Sequence, residues 1–424
     1  MTTDASTAPG LLLVGGAGPA PLGIDVAVAA IEQARSRGLR VHLMGHGPDL
    51  AATEEACRLA DTVSAVDFED PGAAVAWAVE RKAAGERFDV VFTCRELALP
   101  ATARIAAALG ARGNPPAVID LVRNKDRCRA RLAEAGHPQP ASRLCHGVED
   151  AERAVADSSA GPWVVKPRVG GGSEGVRLVT DATQVAQAVA GLPAESGEEF
   201  LVEDFVVGDE YSVEGLFHDG EPQVLAITAK EKMPPPYFVE AGHRLPASIS
   251  AEAAAGIERA VTAALREVGL IFGLFHVELW LTDQGVVLGE LHARLGGDYI
   301  HRMLAHALDG LEMFGEVYDD ALGRLRAPGP RTCRRAGASR YFTPPPGRLA
   351  AVEGWREAAA HSAVLAAELN VAPGDMIGTP RDSDGRVGGL TVGAGTAEEA
   401  EQLAAALARS VRFTVESGAP RDGT

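Results

Sequence analysis

Short apolar runs alternate with amphipathic stretches through the first quarter of the chain. Leu11-Leu12-Leu13-Val14 runs into Gly15-Gly16-Ala17-Gly18, Ile24 to Gly38 has helical periodicity, and Arg40-Val41-His42-Leu43-Met44 is the next apolar run. Asp61-Thr62-Val63-Ser64-Ala65-Val66 and Phe88-Asp89-Val90-Val91-Phe92-Thr93 continue the series. Strand and helix signals in alternation predict a doubly wound parallel sheet.

The turn from Gly15 to Gly23 matches a dinucleotide fingerprint only loosely. Pro19 and Pro21 interrupt the expected helix start, so a tight turn without a nucleotide is the better reading.

A second block begins near Asn114-Pro115-Pro116. The pattern predicts one helix over roughly Ala117 to Ala135, with Gly136 as its C-cap and Pro138 beyond. Trp163-Val164-Val165-Lys166-Pro167 is a strand that ends on a lysine, and Val176-Arg177-Leu178-Val179 is its neighbour. Between them lies Gly170-Gly171-Gly172-Ser173-Glu174-Gly175. Three consecutive glycines are costly in chain entropy but fit where backbone N–H groups close on a phosphate. An exposed hairpin loop is the bland alternative, and the cation at Lys166 favours the phosphate cradle. The loop lacks the G-K-[ST] ending of a P-loop and opens no helix, which disfavours a Walker-type NTPase. Further on, Phe200 to Glu214 reads as two strands meeting at Gly208. An extended segment of this kind can read an adenine edge through its backbone, and Glu210 can hold ribose hydroxyls.

A hairpin follows: Gly273 to Leu281, a turn at Thr282-Asp283-Gln284-Gly285, then Val286 to His292. With period two, His276, Glu278 and Trp280 share a face, and Glu290, His292 and Arg294 share a row. Pairing about Gln284 would set Glu278 nearly opposite Glu290. Two adjacent carboxylates repel unless a cation lies between them. A hard divalent ion, Mg²⁺ or Mn²⁺, suits them, and two solvated surface glutamates are the alternative.

A third block runs from about Arg331 to the C-terminus. Phe342-Thr343-Pro344-Pro345-Pro346-Gly347 is a sharp turn, and Thr396 to Ser410 is a helix whose Thr396 and Glu399 form a capping box. Gly418 to Thr424 is expected to be disordered. No internal repeat is visible.

Composition removes several classes. The 424 residues have room for two or three domains, and 46% hydrophobic with 23% charged residues is ordinary for a globular protein. A net charge of −18 argues against nucleic acid as a partner but leaves room for a local basic pocket. No apolar run reaches the roughly 18 residues of a membrane span. Met1-Thr2-Thr3-Asp4 lacks the positive start of a signal peptide, and five scattered cysteines without a C-x-x-C pair fit free thiols in a reducing cytoplasm.

Taken together, Lys125, Lys166, the Gly170–Gly175 loop, Glu203 to Glu210, Glu278 and Glu290-x-His292-x-Arg294 resemble the ATP-grasp carboxylate–amine ligases. The resemblance covers nearly the whole chain and is strongest from Asn124 to Ile300. Within that superfamily the chain is similar to the bacterial L-amino-acid ligases. The features that favour this branch are Phe238-Val239-Glu240-Ala241-Gly242-His243-Arg244-Leu245-Pro246, Leu295-Gly296-Gly297-Asp298, and the C-terminal block with Pro345-Pro346-Gly347.

The resemblance implies an α/β fold in three parts. These are a pre-ATP-grasp domain over 1–116, an ATP-grasp domain over 117–330 with a mobile lid at about 140–206, and a C-terminal α+β domain over 331–424. It implies that Lys125 and Lys166 contact ATP phosphates, and that the flap with Gly171, Gly172, Ser173 and Gly175 closes over them. Glu203, Asp204 and Val206 would form the adenine hinge, and Glu210 would hold ribose. Glu278 and Glu290 would carry Mg²⁺. His292 stands where the family usually has Asn, either beside the metal or shifting preference toward Mn²⁺. Arg294 would steady the transferred phosphoryl group, with Lys230 or Lys232 as a further phosphate contact. Glu240, His243, Gly297 and Asp298 would meet the substrates. Asp298 could pair with a substrate ammonium, or it could cap a helix starting near Tyr299.

The implied reaction converts a carboxylate to an acyl-phosphate with ATP and then to an amide with an amine. Peptide-like natural-product biosynthesis is the setting, and a homodimer is common among such ligases. The rivals are a ligase or carboxylase of primary metabolism, an NAD-binding oxidoreductase and a non-catalytic nucleotide-binding module. The oxidoreductase leaves Glu278, Glu290 and Arg294 unexplained. No carrier-lysine segment supports a biotin enzyme.

Overall fold

The computed structural model describes residues 8–158, 161–196, 198–324 and 331–416; the tail from Gly418 to Thr424 lies outside them. Four parallel strands form the N-terminal sheet, in the order Thr62–Ala65, Arg40–Gly45, Gly10–Val14, Val90–Phe92. Successive strand side chains point to opposite faces. Leu11, Leu13, Val41 and Leu43 therefore meet helix Pro21–Ser36, whereas Leu12, Val14, Met44 and Val91 meet helices Pro71–Ala83 and Leu99–Leu109. Both faces are covered, as the alternation of signals predicted. Pro21 does not delay its helix. It occupies the first turn, where the missing N–H has no partner to lose.

Eight antiparallel strands make the main sheet. Their order is Gly285–His292, Leu274–Thr282, Asp209–His218, Glu221–Lys232, Glu240–Leu245, Ala336–Tyr341, Gly388–Ala394, Val364–Leu369. One face is apolar. Tyr211, Val213, Phe217, Phe275, Val277 and Leu279 pack against helix Ala251–Val268, which contributes Ile257, Val261, Leu265 and Val268. Each of those four buried side chains stabilises the fold by roughly 1.5–3 kcal/mol. Ser250 caps the helix at Ala253 N–H, and left-handed Gly269 ends it. The opposite face carries Ser212, Glu214, His276 and Glu278, with Ser212 paired to Glu278 and Glu214 to His276 across the strands. Alternation thus sorts core from chemistry on a single sheet.

A smaller antiparallel sheet, Ser142–Cys145, Phe200–Asp204, Trp163–Pro167, Arg177–Val179 in that order, overhangs this polar face. With helices Val148–Asp157 and Val185–Ala190 it has its own core, including Cys145, Val165, Val179, Phe200 and Val202. Residues 205–208 join it to the main sheet.

Two sequence expectations change. The single helix expected over 117–135 is two helices, Pro116–Arg123 and Lys125–Glu134, because Asn124 is extended (φ −96°, ψ 100°). The periodicity runs through the break and so conceals it. The chain after Arg331 does not build a separate sheet only: Ala336–Tyr341, Val364–Leu369 and Gly388–Ala394 extend the main sheet, covered by helix Ala397–Ser410 with both capping-box bonds formed. A three-stranded sheet, Met376–Ile377, Gly347–Glu353, Arg412–Glu416, lies beside it. Among the described residues no helix is long and apolar enough to cross a membrane.

Candidate active site

The hairpin sets the acid pair through a defect in its ladder. Thr282 pairs with Gly285, and that register taken regularly would place Glu278 opposite Gly289 and turn Glu290 to the other face. A bulge intervenes: Leu279 pairs with Leu288, but Val277 pairs with Leu291, so Gly289 and Glu290 together oppose Glu278. The extra residue brings Glu290 onto the face of Glu278. Gly289 is required there, since a Cβ would stand 2.8 Å from the Glu278 carbonyl oxygen.

Lysines converge on these carboxylates. Lys166 Nζ lies 3.1 Å from Glu290 and 2.9 Å from Glu203, and Lys125 Nζ lies 3.3 Å from Glu290. The break at Asn124 opens the helix that carries Lys125, whose Nζ also donates to Gly170 O (2.8 Å) on the flap. Lys230 is 3% exposed and touches three carboxylates, Glu210 at 3.0 Å, Glu278 at 3.1 Å and Glu240 at 3.3 Å. Lys232, two residues on and on the same face, also pairs with Glu210.

Burial alone would push each of these groups toward neutrality, and the pairing reverses it. Burial raises the Glu278 carboxyl, but the Lys230 ammonium and the His276 hydrogen bond outweigh it and hold it well below the usual range. Burial likewise opposes the charge on Glu290, but Lys125 and Lys166 win, while Glu278 pushes the other way. Burial opposes the charge on Lys230, and Glu278, Glu210 and Glu240 restore it with a pKa well above normal. His276 follows the same logic: burial lowers it, and Glu214, 2.9 Å from Nδ1, lifts it to about 9. His292 goes the other way. Burial and then Arg294 push its pKa down, against the opposing pull of Glu96 and Glu290; Nε2 lies 3.6 Å from Glu290 and Nδ1 3.7 Å from Glu96.

A cavity of about 340 Å³ opens between the two sheets. Lys125, Lys166, Lys230, Glu278, Glu290, His292 and Arg294 line its floor, and Gly171, Gly172 and Ser173 its roof. Glu203, Asp204, Val206, Glu210 and Glu240 complete the wall. The flap lies closed in this structure. Glu174 N–H reaches Gly171 O (3.4 Å) across positive φ at Gly172 (+65°) and Ser173 (+59°), the pattern of a type I′ turn. Ser173 Oγ donates to Phe238 O at 2.9 Å.

Several candidate residues are engaged differently from the sequence expectation. The Glu203 carboxylate turns inward, where Arg129 grips both its oxygens and Lys166 joins them, so its side chain braces a lysine rather than facing adenine. The N–H groups of Asp204 and Phe205 bond to Ala141 O and Pro162 O, and Val206 follows them along the cavity wall. Both Glu210 oxygens are held by Lys230 and Lys232, so a ribose hydroxyl would have to share them. Gly175 packs into the lid, where a Cβ would meet Pro193 at 2.6 Å. Gly297 is exposed, with open space where a Cβ would stand; the crowded glycine is Gly296, whose Cβ would meet Glu214 and His276 at 2.9 Å.

Asp298 is neither a cap nor free for an ammonium. Tyr299 holds the N-cap position of helix Ile300–Ala307 in a left-handed conformation without a side-chain cap bond. Asp298 takes a fork from Arg386 (3.0 and 2.6 Å) and a bond with His243 Nε2 (2.7 Å). Burial raises its pKa, and Arg386 and His243 overturn that and hold it far below the usual range. His243 Nε2 therefore faces a protein carboxylate.

Four residues escaped the sequence reading. Glu96 accepts from Arg294 Nε at 2.9 Å and faces His292. The available signal was its place just past strand Val90–Phe92, at the carboxyl end where open parallel sheets present ligands. Arg129, Ser383 and Arg386 carried no local signal.

The donor set suits a shared divalent cation. Glu278 and Glu290 are two hard oxygen donors that repel each other, and among the described residues no group of three or more such side chains is arranged to hold a metal alone. Mg²⁺ held by one or two carboxylates takes its other oxygens from phosphate and water.

Comparison with known proteins agrees with this geometry. Residues 159–302 match the model of the ATP-grasp domain, and residues 340–416 match L-amino acid ligase C-terminal domain 2. An uncharacterized protein of Sinorhizobium fredii is 30% identical over 338 residues, covering 78% of this chain and 70% of that protein. Carnosine synthase 1 of Homo sapiens is 30% identical over 311 residues, 67% of this chain but 36% of its own length, so the chain spans about a third of that relative. The L-amino acid ligase from Bacillus licheniformis has a similar fold, with a TM-score of 0.80 at 23% identity over 96% of this chain and 99% of that one. With lysines, flap and paired carboxylates in one cavity, and both domain matches in order, the chain belongs to the ATP-grasp family of ATP-dependent carboxylate–amine ligases.

Proposed function

We propose that this chain activates the carboxylate of an amino acid as an acyl-phosphate and passes it to an amine, giving a dipeptide or related amide with ADP and phosphate. The observation that carries the reading is the convergence of Lys125, Lys166, Lys230 and Arg294 with Glu278 and Glu290 on one roofed cavity. A carboxylate is a poor acyl donor, and phosphorylation supplies a leaving group. The carboxylate oxygen attacks the γ-phosphorus as the bond to ADP breaks; the amine then attacks the acyl carbon, and phosphate leaves with the C–O electron pair.

The protein's part is positioning and charge neutralisation. Lys125 and Lys166 neutralise phosphate oxygens beneath the flap. Arg294, held by Glu96 and by Leu295 O at 2.8 Å, presents its guanidinium beside Gly171 to the phosphoryl group in transit. Val206 reads adenine through its backbone, and Glu210 shares ribose hydroxyls. Glu278 and Glu290 would hold Mg²⁺, or Mn²⁺ with His292 nearby, and the ion would offset the charge of the phosphates. The closed flap keeps water from the acyl-phosphate.

The L-amino acid ligase domain at the C-terminus and the carnosine synthase relatives support an amino acid as substrate and peptide-like natural products as the setting. A cytoplasmic homodimer is the proposed state. The test is phosphate release from ATP and Mg²⁺ with L-amino acids singly and in pairs. Release that requires an amino acid, together with an amide seen by mass spectrometry, supports the reading. ATP hydrolysis indifferent to every carboxylate would overturn it.

A further inference from the structure

We propose that Ser383, in the C-terminal block, is a positioning residue that ties flap closure to the acid cluster; the inference rests on the ligase reading above. Ser383 N–H donates to Gly172 O at 2.9 Å, and Ser383 Oγ donates to Glu240 Oε2 at 2.9 Å. One residue therefore bonds the flap tip with its backbone and the cavity wall with its side chain. From Glu240 the chain of contacts runs to Lys230 (3.3 Å) and on to Glu278 (3.1 Å). The flap and a proposed metal-holding carboxylate are thus linked through four side chains or amides.

The loop that offers Ser383 is also held by bonds that do not involve the flap. Arg386 Nε donates to Ser383 O at 2.9 Å, while its other nitrogens fork onto Asp298 and its guanidinium lies 3.7 Å from the Tyr341 ring centre. Gly385 N–H closes the loop on Asp382 at 2.8 Å. On the flap side, positive φ at Gly172 (+65°), costly for other residues, presents the carbonyl that Ser383 meets. Asp298 and Arg386 thereby gain a role: they hold the receiving loop.

An acyl-phosphate formed under an open flap is lost to water, so closure has to be registered where the acid cluster sits. Ser383 does this by sharing one residue between the two. A hydrogen bond to a charged acceptor supports roughly a tenfold effect.

The test compares wild type with Ser383→Ala, Ser383→Thr and Ser383→Pro. With ATP, Mg²⁺ and the proteinogenic L-amino acids, Ser383→Ala should keep the KM for ATP and remain folded at the assay temperature, melting only a few degrees lower. Its amide formed per phosphate released should fall about tenfold, and Ser383→Thr should restore it. An unchanged ratio in Ser383→Ala, or a Thr variant as impaired as the Ala one, would overturn the proposal. Ser383→Pro lacks the donor to Gly172. Hydrogen exchange over 169–176 should then slow less on adding a non-hydrolysable ATP analogue and Mg²⁺ than in wild type, and equal slowing would also overturn it. If wild type itself forms no amide, the ligase reading fails, and the exchange comparison still decides the latch.

Discussion

Replacing Lys230 by Met removes one ammonium and leaves three carboxylates facing each other. Met nearly matches the volume, so the cost is electrostatic rather than a cavity. Lys230 is 3% exposed and lies within 3.3 Å of Glu210, Glu240 and Glu278. Removing one partner of a buried ion pair costs about 3–5 kcal/mol. Glu278 keeps 28% exposure, which places the expected loss toward the lower end, about 3 kcal/mol. The deficit should depend on pH with a definite sign. Glu278 has a depressed pKa in the fold, so its contribution is present above the unfolded value of about 4.3 and is lost as pH falls through the folded one. Lys230 has a raised pKa, so its contribution is fully present below about 10.4 and is lost only as pH rises through the folded value. Both pH 7.5 and pH 4 lie below the range in which Lys230 titrates, so thermal melting of wild type and Lys230→Met at these two values reads the carboxylate side. The variant should melt several degrees lower at pH 7.5, and the gap should narrow at pH 4 as Glu278, deprived of Lys230, protonates. A gap of the same size at both pH values, or no gap, would refute the electrostatic explanation.

Glu290→Gln keeps the size of a residue held by Lys125 and Lys166 but removes its charge, so phosphate release should fall on the order of a hundredfold, and melting should drop less than in Lys230→Met because Lys166 keeps Glu203; near-normal turnover at saturating Mg²⁺ would contradict the assignment. Gly289→Ala should force the bulge apart, since its Cβ would stand 2.8 Å from Glu278 O; a loss of about 1–3 kcal/mol with activity falling further than stability is expected, and normal activity would show that the bulge is not needed. Asp298→Asn weakens the fork from buried Arg386 and should lower stability by about 1.5–3 kcal/mol without a selective rise in the amino-acid KM; unchanged melting with a much raised KM would return Asp298 to a substrate-binding role. Hydrogen exchange across Val169 to Val176 should slow when ATP and Mg²⁺ are added, and no change with nucleotide bound would count against the flap.

The N-terminal sheet was legible because buried parallel strands are continuous apolar runs, and nothing competes with that signal. The hairpin was legible from its turn and alternation. The meeting of Glu278 with Glu290 was right for a reason the sequence hides: the turn register alone separates them, and the bulge at Gly289 restores them. The split at Asn124 was invisible because helical periodicity continues through it. Asp298 shows the opposite limit. An Asp before a helix reads as a cap, but positive φ at Asp298 and Tyr299 removes that geometry, and Arg386, 88 residues away, takes the carboxylate. Glu96, Arg129, Ser383 and Arg386 are likewise placed by long-range packing, which local patterns do not encode.

The acyl-phosphate is the center of the proposed function, and isotope transfer tests it most directly. With an amino acid substrate labelled with oxygen-18 in its carboxylate, together with ATP, Mg²⁺ and an amine acceptor, the phosphate released should carry one labelled oxygen for each amide formed. Amide formation with wholly unlabelled phosphate would contradict the acyl-phosphate route.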